Sequence, residues 1–160
     1  MKIKHFAKYL APVLVMGAYA ASASAQSYQC SEALFAYGDE FPIEKLGANV
    51  TVKKEKEPNP HGGPITDTTY EAGESWITTR ACDSCNPRES RSGTYIVVNE
   101  SLPCGIKKGM SEQQITQVMG QPHFRQDDGS LSYYADMEGN YDVTFRMLNG
   151  QFKGLMNGYY

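Results

Sequence analysis

The chain predicts an α+β fold in which short helices pack on an antiparallel sheet. Three observations carry that reading. Residues 106–124, IKKGMSEQQITQVMGQPHF, contain one sharply bounded short helix. After it comes a series of strand-like runs punctuated by Asp128-Gly129, Gly139-Asn140 and Asn149-Gly150. Before it, two β-rich runs at 65–71 and 76–81 flank Ala72-Gly73-Glu74 as the arms of a hairpin. Strands joined by tight turns, with helices too short to stand alone, leave the helices to cover one side of a sheet.

Taken from the start, the first 25 residues read as a secretory leader. Lys2, Lys4 and Lys8 form a positive region, residues 10–20 an apolar run, and Ala23-Ser24-Ala25 a small-x-small cleavage site before Gln26. No later apolar run approaches the roughly 20 residues of a membrane-spanning helix, so no transmembrane segment is expected once the leader is gone. Losing three of the 15 basic residues leaves 12 against 18 acidic ones, a net charge of −6 for residues 26–160. Nucleic-acid phosphates would repel such a protein, which excludes nucleic acid as a partner. The expected location is periplasmic or secreted.

Cys30, Cys82, Cys85 and Cys104 all lie in the exported part, where disulfides form and persist. Four cysteines allow three pairings, and two disulfides are expected without a choice among them. The Cys82-Asp83-Ser84-Cys85 spacing also suits a redox pair or half a zinc site. No βαβ pattern surrounds it and no second CxxC accompanies it, while His61 and His123 are isolated. Neither a metal nor a cofactor is expected.

Residues 30–37 suit one or two helical turns stopped by Gly38, and 41–46 form a second short apolar unit ending at Gly47. Residues 50–57, VTVKKEKE, begin as a strand and become a mixed charge run whose lysines would blunt a sheet edge. The segment 58–64, PNPHGGP, is a turn by composition. Residues 82–93, CDSCNPRESRSG, read as a twelve-residue polar loop before a β-branched run at 94–98. Long loops on rigid scaffolds are where recognition tends to sit.

The helix within 106–124 is bounded by reciprocal signals. Ser111 is an N-cap and Gln114 completes a capping box. Met110 and Ile115 are spaced as a hydrophobic staple, and Ile115, Val118 and Met119 share one face. Gly120 and Pro122 end it. The runs 124–126, 130–135, 141–148 and 151–156 then form a meander. Within 141–148, Tyr141, Val143, Phe145 and Met147 alternate with Asp142, Thr144 and Arg146, predicting one greasy face for the helix to cover and one wet face.

The two halves echo one another. Pro42 to Gly47 parallels Ile115 to Gly120, Ile77-Thr78-Thr79-Arg80 parallels Val143-Thr144-Phe145-Arg146, and Gly93-Thr94-Tyr95 parallels Gly150-Gln151-Phe152. Further, Gly109-Met110-Ser111, Val118-Met119-Gly120, Pro122, Tyr133-Tyr134, Val143-Thr144-Phe145 and Asn149-Gly150 resemble the pattern of the BamE/SmpA/OmlA and β-lactamase-inhibitor-protein (BLIP-like) superfamily. The resemblance is clear over 106–155 and degenerate over 41–100. It implies small helical elements on an antiparallel sheet, in BLIP as two tandem units, here a degenerate first repeat at 26–104 carrying the cysteine loop and a second at 105–160. It also implies binding without catalysis. Two departures matter: Cys30 lies beyond Gln26 without a lipobox, so no lipid anchor is expected, and no GMS segment opens the first copy.

The function expected on this basis is that of an exported, non-enzymatic protein-binding module of the cell envelope, inhibitor-like, using sheet face and loops. The alternatives are an outer-membrane assembly accessory of BamE type and an envelope hydrolase built on scattered residues, since no Ser/His/Asp order, P-loop or GxGxxG is present. The candidate binding residues are Trp76, Tyr95, Tyr134 and Phe152, because aromatic side chains dominate interface hot spots, with Asp83 as an acidic probe at the loop tip.

Overall fold

The computed structural model describes residues 16–60 and 62–160, with side chains from residue 27 onward. Most of the predicted leader falls in residues 1–15, outside the described residues. The predicted cleavage position lies inside helix α1, Met16–Asp39. From residue 27 on, α1 turns one stripe inward: Cys30, Ser31 and Leu34 are buried at helical spacing, with Tyr37 half-buried and Gly38 buried. A 3-10 turn at Ile43–Lys45 follows.

Eight strands then build one antiparallel sheet. They are β1 Thr51–Glu57, β2 Ile65–Ala72, β3 Ser75–Cys82, β4 Glu89–Val97, β5 Phe124–Arg125, β6 Leu131–Tyr134, β7 Tyr141–Leu148 and β8 Gln151–Tyr159. The spatial order is β1-β2-β3-β4-β8-β7-β6-β5, two four-strand meanders joined through their last strands. Thr94↔Asn157 and Ile96↔Leu155 pair across that seam.

Helix α2, Glu112–Met119, separates the meanders in sequence. Its capping box forms as expected: Gln114 N–H donates to Ser111 Oγ at 3.3 Å, and Ser111 N–H donates to Gln114 Oε1 at 2.9 Å. With Ile115 and Met119 fully buried, α2 lies beside α1 on the same side of the sheet, and α1 packs over β4, β6, β7 and β8. Leu34, Val98, Ile106, Leu131, Tyr133, Val143, Phe145 and Leu155 fill the space between. A smaller cluster of Phe41, Ile77 and Ile96 underlies the 3-10 turn. A disulfide between Cys30 and Cys104, with Cα atoms 5.9 Å apart, ties α1 to the segment leading into α2, and a second joins Cys82 to Cys85. No helix of the described residues is long and apolar enough to cross a membrane.

Three expectations are corrected. The twelve-residue loop at 82–93 is instead a six-residue connection, 83–88. β4 starts at Glu89 because polar residues 89–91 pair with Thr79–Ala81 across a bulge at Thr78/Thr79. Phe152 is 1% exposed, on the helix-covered face. A bulge at Arg146/Met147 sets it opposite Met147, and its ring packs 5.3 Å from that of Phe145. Finally, the expected wet alternation of β7 fails, since Asp142 and Thr144 are 5% and 1% exposed.

Candidate functional site

The helices cover one face of the sheet, and among the described residues no helix lies over the other, to which alternate side chains of each strand point. The pairing register writes a single row across that bare face: Thr51, Glu71, Trp76, Tyr95, Met156, Thr144, Ser132 and Phe124, one residue from each strand. At about 4.8 Å per strand the row spans roughly 34 Å. Its centre is Trp76, Tyr95 and Met156, each half-buried on β3, β4 and β8.

Glycines in the neighbouring strands let the two rings lie down on the sheet. A Cβ at Gly93 would come within 2.8 Å of the Trp76 indole, and one at Gly154 within 2.7 Å of the Tyr95 ring. Trp76, Tyr95 and Met156 line a shallow groove of about 460 Å³ together with Glu74, Arg146 and Lys153. A second groove of about 580 Å³ continues past Trp76 along Thr78, Arg80, Gly93 and Tyr160.

Three ion pairs border these grooves. Arg80 holds Asp67 through two bonds of 2.9 and 2.7 Å, Lys153 meets Glu74 at 2.7 Å, and Arg146 meets Asp128 at 2.9 Å. The Arg80 hydrogen bond holds the Asp67 carboxyl below its ordinary range. Burial pushes the Tyr95 phenol up, so the hydroxyl keeps its proton at neutral pH.

Towards β5 the face carries hydrogen-bonded polar groups, of which Ser132, Thr144 and Asp142 are buried. Gln126 donates to Ser132 Oγ at 3.3 Å, the Ser132 and Thr144 hydroxyls are 2.7 Å apart, and Tyr160 donates to Asp142 at 3.5 Å. Burial raises the Asp142 carboxyl, against the Thr144 hydroxyl and the Gly158 N–H that favour its charged form. These bonds explain why β7 has no wet side: neighbours on the same face cover short polar groups that satisfy one another.

A larger cleft, about 640 Å³, opens on the helix side between Tyr37, Phe41, Leu46 and Val98. Phe41 and Ile96 at its base belong to the core, and Tyr37 already donates to Glu100 at 2.9 Å. The bare face is the better site because its half-buried aromatics Trp76 and Tyr95 are not committed to the core.

Of the candidate residues, the structure brings Trp76 and Tyr95 into direct register. Tyr134 lies on the same face near its far edge, packed on His123 and Phe124 at 4.5 and 5.4 Å. Asp83 is exposed at the β3–β4 turn, seven residues along from Trp76 and so roughly 20 Å away. Phe152 is removed to the core. Sequence reasoning missed Met156, Thr144 and Ser132, which join the site only through strand register. The signal that was available is the glycines inside strands, Gly93, Gly154 and Gly158, which mark close approach by another group. Among the described residues no group of three or more His, Cys, Asp and Glu side chains could hold a metal ion. Compared with protein-family models, curated proteins and solved structures, the chain matches none.

Proposed function

We propose that this chain is an exported, non-enzymatic binding module that takes a protein partner on the bare face of its sheet, in the inhibitor-like manner of the BLIP-like superfamily. The carrying observation is the glycine-backed row of Trp76, Tyr95 and Met156, half-exposed and unclaimed by the core. Aromatic and methionine side chains are enriched at interfaces because they supply large contact area with few torsions to freeze. The reversed strand order of the two meanders supports the further reading of two tandem helix-plus-meander units, 26–104 and 105–160; the leader at 1–25 rests on the charge and apolar pattern of its sequence.

The test is co-purification from envelope extract with the full chain and with a Trp76→Ala/Tyr95→Ala double variant of matched thermal stability. The expected result is a soluble protein, foreign to the assembly machinery, retained by the wild type and lost by the variant. Equal retention by both overturns the assignment of the face. Recovery of barrel-assembly components instead selects the accessory role.

A further inference from the structure

The tip of the β3–β4 hairpin carries chemistry that the sheet face does not use. Cys82, the last residue of β3, is bonded to Cys85 across Asp83 and Ser84, with Cα atoms 5.2 Å apart. The two sulfurs belong to residues in unlike surroundings: Cys82 is 3% exposed and Cys85 is exposed. Backbone bonds that do not pass through sulfur hold the tip in place. Cys82 N–H donates to the Arg88 carbonyl at 2.8 Å and Cys85 N–H to the Cys82 carbonyl at 3.1 Å. Opening the disulfide therefore need not unravel the hairpin.

A third group completes the arrangement. Ser84 Oγ lies 3.3 Å from Cys82 Sγ. A sulfur in a disulfide has no proton to give, so the hydroxyl is the donor. Its position is built from a second loop, since a Cβ at Gly62 would stand 2.2 Å from Ser84 Oγ. A donor aimed at one of two sulfurs stabilises negative charge on that sulfur, and the sulfur whose thiolate is stabilised is the better leaving group.

We propose that Cys82–Cys85 is a thiol–disulfide exchange site, entered at the sulfur of the exposed residue Cys85 by the thiolate of a small-molecule thiol and releasing Cys82 as the thiolate that Ser84 supports. In the first step RS⁻ attacks Cys85 Sγ: the R–S–Sγ bond forms, the Cys85–Cys82 bond breaks, and its electron pair stays on Cys82. A second RS⁻ then attacks the sulfur bonded to R, forming RSSR and freeing the Cys85 thiolate. Two thiols are oxidised to one disulfide, the protein disulfide gains two electrons, and both protein thiolates draw protons from water. The reverse step is also provided for, because the Cys82 thiolate adjoins Cys85 and can expel RS⁻ from the mixed disulfide.

The experiment treats the folded full-length chain with reduced glutathione, quenches with acid at intervals, and locates adducts by alkylation and peptide mass mapping. The expected course is a glutathione adduct at Cys85, then free Cys82 and Cys85, with Cys30–Cys104 intact and the far-UV dichroism unchanged. Ser84→Ala slows the first step by about three- to tenfold, the weight of one ordinary hydrogen bond, and Ser84→Thr restores most of the rate. An adduct on Cys82, opening of both disulfides at one rate, or no opening while the protein stays folded overturns the proposal. An unchanged rate in Ser84→Ala, with melting temperature preserved, overturns the part given to Ser84.

Discussion

Single residues decide how the bare face is presented. Gly93 and Gly154 lie under Trp76 and Tyr95, yet their substitutions should fail differently. A Cβ at Gly93 meets only the edge of the Trp76 indole, whereas one at Gly154 also meets the Ile96 carbonyl, a backbone atom, at 2.7 Å. A side chain can rotate away and a paired strand cannot. Gly93→Ala should leave thermal stability nearly unchanged while shifting the emission of Trp76, the single tryptophan, to the red as the ring lifts into water. Gly154→Ala should cost about 1–3 kcal/mol in a urea titration, the usual penalty of overpacking. If both behave alike, the two glycines do not set the lie of the rings as described. Asp142 supplies a test by pH. Burial raises its folded-state pKa above the ordinary 3.8, so the folded chain binds that proton more tightly than the unfolded one. The associated stability is complete below the unfolded value and is lost as pH rises through the folded one. Asp67 and Asp128, whose carboxyls are lowered, act in the opposite sense and cancel from a comparison with Asp142→Asn. Stability of the wild type relative to that variant should fall as pH rises from below the ordinary 3.8 through the raised folded-state value; a flat difference in urea unfolding would contradict the assignment.

At the scale of elements, the contrast between α2 and the strands shows what the sequence makes legible. Every signal for α2 is local: Ser111, Gln114, Ile115 and Met119 act within one helical turn or two and are found in the expected roles. Gly120, expected as a left-handed C′ residue, ends the helix as its C-cap at positive φ with an extended ψ. Asn149-Gly150 is equally legible, both residues having the positive φ that a tight hairpin demands. The start of β4 and the side chosen by Phe152 are not legible. Each depends on a bulge, at Thr78/Thr79 or Arg146/Met147, and one inserted residue sends every later side chain to the other face. The disulfides separate by the same logic of reach. Cys30–Cys104 closes a separation of 74 residues and Cys82–Cys85 only three. Replacing the first pair by serine should cost about 4 kcal/mol and replacing the second at most about 2 kcal/mol, from the entropy each removes from the unfolded chain. Equal losses in guanidinium unfolding would show that strain or packing, rather than chain restraint, governs both.

For the whole molecule, the arrangement is asymmetric in a way that points to use. Helices fill one side of the sheet, while β1 and β2 run out beyond them, β1 exposed along its whole length and its edge blunted by Lys53, Lys54 and Lys56. Among the described residues no helix lies over the opposite side, and Arg80, Arg146 and Lys153 around its central aromatics are closed into ion pairs. A partner seated there would meet aromatic surface without having to strip a free charge of water, which predicts association that changes little between low and high salt. The α+β class was legible from the turn signals and helix caps. The row across eight strands was not, because it exists only once β4 and β8 are joined, and no local pattern announces that seam. The most direct test places a photo-reactive benzoylphenylalanine at Met156, in the centre of the bare face, or at Gln117, exposed on α2, and illuminates each protein in envelope extract. A discrete protein adduct is expected from position 156 and none from 117; capture from 117 alone, or equally from both, would contradict docking on the bare face.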